Sequence, residues 1–150
     1  MIRILAFDPG RTTGVSRITV IDRSDKFVLD FSREIDWAER FESVNNILRE
    51  IGPEDVIVTE AFRLFPHKAT AQIGSDFPSS QVIGIIEALC FTLQLNPNNI
   101  IYQVPGDITK VAVLDQDLPL VAGSPHRIDS YRHARLFFLK KFVLNPFSRA

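Results

Sequence analysis

The run Ile2-Arg3-Ile4-Leu5-Ala6-Phe7 ends on Asp8 and is cut by Pro9-Gly10, and a second run of roughly alternating polarity extends from Gly14 to Ile21. Proline removes a backbone donor and glycine frees the chain to turn, so the two runs read as strands joined by a tight turn. Asp8 then stands at the tip of a buried strand. Asp-Pro-Gly is ordinary turn chemistry, in which the acid only caps its hairpin. The other reading is a carboxylate held by a cation or a nest of donors, because a buried charge without a partner is costly. A second acid in the same setting favours the cation: the β-branched stretch from Asp55 to Thr59 ends on Glu60.

The remaining pattern brings these two acids together. A third strand is read over residues 27–34, and a helix follows from Asp36 to Glu50 with Trp37, Phe41, Val44, Ile47, Leu48 and Ile51 at helical spacing. Gly52-Pro53 ends it. A helical crossover returns the chain in its original sense, so the strand over 55–60 runs parallel to the first. Neighbouring strands lie roughly 4.8 Å apart, which brings matching carboxylates within reach of shared divalent ions about 3.5–4 Å apart. Crevices beyond the carboxyl ends of parallel strands are also where open α/β sheets bind ligands.

After Glu60 come a long loop over 61–79, an apolar helix over 79–95 and a strand over 99–104. Pro105 opens a short helix carrying Lys110, and Asp115 and Asp117 fall in a surface loop. Ser124-Pro125 caps a last helix that runs to Phe138. The sum is an α/β fold: a five-stranded mixed sheet of order 3-2-1-4-5, flanked by helices, in a single domain over residues 1–150.

Composition limits the alternatives. The lone Cys90, in an apolar helix, excludes an intrachain disulfide and suits the core of a protein from a reducing compartment. The most apolar stretch, Val82 to Leu95, is too short for a membrane span and carries Glu87. A net charge of −1 is low for a nucleic-acid partner, but its distribution is uneven. Residues 22–60 hold eleven acids and five bases, whereas residues 124–150 hold six Lys or Arg against Asp129 alone. That basic end is either a solvated helix face or an electrostatic footprint for phosphates.

The loop after Glu60 mixes Phe62, Phe65 and Phe77 with Arg63, His67 and Lys68. Such a mixture suits charge neutralisation plus base stacking, unless the phenylalanines fold back onto the core. Lys110 either faces phosphate or is an exposed helix residue. His126, Asp129 and His133 fall at i, i+3 and i+7 on one helix face, which leaves open whether His133 acts or packs. With carboxylates dominating the donors, Mg²⁺ or Mn²⁺ is expected rather than zinc.

Taken in order, Asp8-Pro9-Gly10-x-x-x-Gly14, Val-Thr-Glu-Ala-Phe, the helix with Gln81-Val82-Ile83-Gly84, Val104-Pro105 with Lys110 five residues on, and His126-x-x-Asp129-Ser130-x-x-His133-Ala134 resemble the RuvC family of Holliday junction resolvases. The resemblance spans nearly the whole chain. It implies an RNase H-like fold, a homodimer without membrane attachment, and Mg²⁺-dependent cutting of four-way DNA junctions, with Mn²⁺ as a substitute. It implies Asp8, Glu60, Asp129 and His126 as metal ligands and catalytic residues, with Lys110 as a functional lysine. Phe62 or Phe65 would be the wedge at the junction centre, and Arg11, Arg63, His67, Lys68, Lys110, Arg127 and Arg132 would contact DNA. Residues 111–123 depart from the family pattern, with Asp115 and Asp117 and no lysine. Compact members of the family among phage proteins point to the cytoplasm of a bacterial or phage-infected cell.

The three acids suggest two-metal hydrolysis: Asp8 bridging two ions, Glu60 and Asp129 holding one each, and His126 completing a shell or moving protons. Two other classes compete. One is a catalytically inactive nucleic-acid-binding module of the same fold; the other is an ATP-handling relative, from the likeness of residues 8–14 to a phosphate loop, though a chain of this size lacks the second lobe that would enclose a nucleotide. Among nucleases, flaps, other branched DNA and RNA remain alternative substrates.

Overall fold

Alternation along the first strand sets both faces of the sheet. The computed structural model describes residues 1–21, 26–62, 77–108 and 125–143. Arg63, Phe65, His67, Lys68, Lys110, Asp115 and Asp117 lie outside the described residues. Strand β1 (Ile2–Asp8) pairs antiparallel with β2 (Thr12–Val20), which pairs antiparallel with β3 (Phe27–Asp36). A 3₁₀ turn (Trp37–Glu39) leads into α1 (Arg40–Leu48), and the chain returns in β4 (Val56–Glu60), parallel to β1 with Phe7 opposite Thr59. Helix α2 (Pro78–Thr92) precedes β5 (Ile100–Gln103), which lies parallel to β4. Helix α3 (Pro125–Phe138) follows and runs into a π-helical turn, Leu139–Val143. The sheet order is β3-β2-β1-β4-β5, as expected.

The two faces of β1 feed two apolar layers. Leu5 and Phe7 join Val15, Ile35 and Ile57 under α1 and α2, which contribute Val44, Ile47, Leu48, Val82, Ile86 and Leu89. Ile4 and Ala6 join Ile18, Val20 and Val58 under α3, which contributes Tyr131, Ala134 and Phe138, with Phe142 beyond it. Each fully buried aliphatic or aromatic side chain contributes about 1.5–3 kcal/mol. Several apolar side chains stay outside, among them Phe41, read as part of the α1 stripe, and Phe91 on the outer side of α2, which is 86% exposed.

Element ends differ from the sequence reading by one to four residues. β2 begins at Thr12 and β3 continues to Asp36 because these two residues pair with each other. α2 stops at Thr92 rather than Leu95. Gln94 takes a left-handed φ of 57°, Leu95 N–H bonds the Cys90 carbonyl at 2.9 Å and Gln94 N–H bonds that of Phe91 at 3.1 Å. This is a Schellman cap, built without the glycine that usually announces one.

At the N-terminal end of β1 and β4 a polar clamp closes the sheet. Buried Asp55 accepts from Arg3 Nη2 at 2.6 Å, Arg3 Nε at 2.9 Å, and the backbone amides of Arg3 and Gly52 at 3.0 and 2.7 Å. A carboxylate with four donors is the arrangement in which a buried charge stabilises.

Candidate active site

Strand parity decides where the functional side chains go. Ile4 and Ala6 face α3, so Asp8 does too; Val58 faces α3, so Glu60 does; Ile101 packs in the same layer, so Gln103 follows. Three neighbouring parallel strands therefore end with Asp8, Glu60 and Gln103 on one face. On β2, Ile18 and Val20 lie in that layer, which puts Gly14 and Ser16 beneath α3 as well.

Gly14 permits the helix to come down. Any Cβ there would overlap the carbonyl of His126, so the start of α3 rests on the β2 backbone. A short hydroxyl chain continues the contact: Ser16 Oγ lies 2.8 Å from Ser130 Oγ and bonds Ser32 Oγ at 2.9 Å. Small residues on both sides bring the N-terminus of α3, with its partial positive charge, to the carboxylate end of the sheet.

There Asp8 Oδ2 accepts from His126 Nδ1 at 3.0 Å. Asp8 is only 8% exposed, and its carboxyl is pushed up to about 6. Burial is the largest cause; the His126 hydrogen bond opposes it, and the charges of Glu60 and Asp129 push further upward. The predicted acids therefore feel one another. Glu60 Oε2 lies 3.1 Å from Nε2 of His133, and His133 Nδ1 lies 2.7 Å from Oε1 of Gln103. Asp129 Oδ1 accepts from Arg132 Nη1 at 2.9 Å.

The donor chemistry fits a hard divalent cation. Three carboxylates and an imidazole lie at the same end of the sheet, and the Asp8 carboxyl is raised there by its burial and, to a smaller extent, by the charges of Glu60 and Asp129. Among the described residues, however, no three His, Cys, Asp or Glu side chains converge closely enough to hold one ion as they stand. Each acid is turned onto a protein partner instead: Asp8 onto His126, Glu60 onto His133, Asp129 onto Arg132.

The residues expected to meet DNA are distributed unevenly. Phe62 is 40% exposed, meets Phe77 edge-on with ring centroids 5.5 Å apart, and borders a cleft of about 180 Å³ with Pro9, Glu60, Ser79, Ile83 and Pro105. Arg11 is exposed and lies 5.6 Å from the centroid of Trp37, whose ring also has Arg40 at 3.9 Å. Arg127 is partly buried and its Nε has no hydrogen-bond partner among the described residues. Arg132 is tied to Asp129, and Arg63, Phe65, His67, Lys68 and Lys110 fall outside the described residues. Gln103, Gly14, Ser16 and Ser130 were not singled out in the sequence as parts of the site. Gly14 and Ser130 stood only within the motifs that carry the resemblance, and Gln103 and Ser16 offered no signal beyond a polar residue in a strand.

No protein-family model matches the sequence, and no curated protein matches it. Solved structures do. The RuvC of T. thermophilus in complex with Holliday junction substrate aligns over 95% of this chain and 97% of its own, with a TM-score of 0.68 and 13% identity. The Fowlpox virus resolvase in complex with substrate Holliday junction DNA aligns over 91% and 99%, with a TM-score of 0.63 and 14% identity. The Fowlpox virus Holliday junction resolvase in a further structure aligns over 95% and 99%, with a TM-score of 0.59. At such identities the likeness speaks for architecture, and the chain has the RNase H-like fold of the RuvC-type resolvases.

Proposed function

We propose that this protein is a metal-dependent endonuclease that resolves four-way DNA junctions. The observation that carries the reading is that Asp8 and Glu60, at the carboxyl ends of parallel strands, meet His126 and Asp129 from the start of α3, in a fold shared with two resolvases solved with Holliday junction DNA. Asp8, Glu60, Asp129 and His126 would hold Mg²⁺ or Mn²⁺, which supplies an activated water and stabilises the leaving oxygen of a phosphodiester. His126 orients Asp8 through Nδ1, and the onset of α3 adds favourable potential for phosphate. Arg127 and Arg132 place positive charge beside the acids, and Phe62, next to Glu60 in the cleft, is positioned to stack on an unpaired base. Lys110, implied by the resemblance, would offset charge at the reacting phosphate.

Two further parts belong to this reading. Paired cuts in opposed strands require two sites, and the outer side of α2, where Gly84 and Phe91 are exposed, is the surface for a homodimer. Among the described residues no helix is long and apolar enough to cross a membrane, and the buried thiol of Cys90 fits a reducing bacterial or phage-infected cytoplasm.

The test compares an immobile four-way junction with linear duplex, flap and RNA:DNA hybrid in Mg²⁺ or Mn²⁺. Wild-type protein is expected to cut the junction, whereas Asp8→Asn and Glu60→Gln bind it with cleavage reduced at least about 10³-fold. Preferred cutting of flap or hybrid would keep the chemistry and change the substrate. The second reading is a junction-binding module without cleavage. The pairing of Asp129 with Arg132, which competes with a metal for that carboxylate, favours it; binding without cutting in either metal would establish it.

A further inference from the structure

His133 is the one imidazole in the described residues that is wholly out of solvent, at 0% exposure. It sits on a helix whose other buried residues are Ser130, Tyr131, Ala134, Leu136 and Phe138. Packing alone asks for an apolar residue at such a place, because a polar ring loses its hydration there. The ring is instead bonded at both nitrogens, to Gln103 at 2.7 Å and to Glu60 at 3.1 Å. Gln103 is itself buried, at 6% exposure, and its backbone carbonyl accepts from Ala61 N–H at 2.8 Å. Glu60 and Gln103 are register partners on β4 and β5, so the strut starts and ends on one rung of the sheet and passes through α3.

The direction of the last bond is fixed by chemistry. An ionised carboxylate has no hydrogen to give, so Nε2 donates to Glu60 Oε2 whichever way the Gln103 amide is turned. One oxygen of Glu60 is thereby held, and the other is left for a cation. A glutamate at a strand end otherwise loses rotamer entropy when it is fixed by its ligand. A preset carboxylate has that ordering already done.

We infer that His133, braced by Gln103, is a positioning residue that presets the Glu60 carboxylate for metal binding. This rests on Glu60 being a metal ligand. The role is distinct from that of His126, which bonds Asp8 and is 45% exposed at its side chain.

Mn²⁺ titration of the full chain by calorimetry, without DNA, reads this directly, alongside junction affinity in chelator and the Mg²⁺ dependence of cleavage. His133→Leu removes the donor and keeps an apolar filling; His133→Gln restores an N–H near the Nε2 position. Expected for His133→Leu are Mn²⁺ affinity weakened about 10–100-fold, a matching rise in the Mg²⁺ needed for half-maximal cleavage, and unchanged junction affinity. His133→Gln is expected to recover most of the loss. Gln103→Leu, which removes only the brace, is expected to weaken Mn²⁺ binding by a smaller factor, and it keeps the test open should His133→Leu fail to fold. Wild-type Mn²⁺ affinity in His133→Leu or Gln103→Leu, or a His133→Gln protein as impaired as His133→Leu, would overturn the positioning role. Absence of Mn²⁺ binding in the wild type would overturn the metal site itself, and the role with it, and is separately visible.

Discussion

Asp8 is destabilising when ionised and metal-free. Its carboxyl moves from 3.8 to about 6 on folding, so the folded protein binds that proton more tightly than the unfolded chain. The contribution is therefore favourable below pH about 4 and is lost as pH rises through about 6, a difference of about 3 kcal/mol at neutral pH. In chelator at pH 7.5, Asp8→Asn is expected to raise the unfolding free energy by about 2 kcal/mol in urea titrations, after allowing for the weakened His126 bond. The gain should vanish toward pH 4. A wild type equally stable to the variant at both pH values would mean that burial and the neighbouring acids do not penalise the ionised Asp8. Asp8 and Glu60 were legible in the sequence because each ends a β-branched or apolar run, where a charge needs a reason. Gln103 was not, since a glutamine ending a short strand becomes informative only when parity and pairing place it beside Glu60. Arg132 was read as a DNA contact, while its i,i+3 pairing with Asp129 is what the structure adds.

At the scale of elements, the site depends on how closely α3 approaches β2. Gly14 opposes Asp8 in the β1–β2 register and lies under the His126 carbonyl, so one methyl group at that position lifts the start of the helix. Gly14→Ala is expected to destabilise by about 1–3 kcal/mol in denaturant titration and to reduce cleavage by more than that stability loss explains, because His126 and Asp129 move together. Unchanged cleavage would show that the helix onset does not set the geometry. The meander, the parallel crossover and the strand order were legible from run lengths and turn residues. Helix ends were less so: the 3₁₀ turn at Trp37–Glu39 carries no sequence break, and the α2 cap uses Gln94 in a conformation that glycine normally takes. Seven glycines in the chain point to turns only where glycine is the residue used.

Across the whole molecule the sheet is polarised. One end is closed by the Arg3–Asp55 clamp, a satisfied ion pair whose role is to hold β1 against the turn before β4. The opposite end gathers carboxylates against a helix N-terminus, and is satisfied only in part by His126, His133 and Arg132. The proposed metal-dependent chemistry uses this division, with protein donors closing one end and the acids standing at the other. The fold, which two resolvases solved with junction DNA share at low identity, supplies the scaffold; the proposed chemistry rests on Asp8, Glu60, His126 and Asp129. The most direct measurement is to map, at nucleotide resolution, the strand cuts that wild-type protein makes in an immobile four-way junction with Mg²⁺. The account predicts paired nicks at symmetric positions in opposed strands, absent with Asp8→Asn. Junction bound tightly and left intact by the wild type in both Mg²⁺ and Mn²⁺ would contradict it.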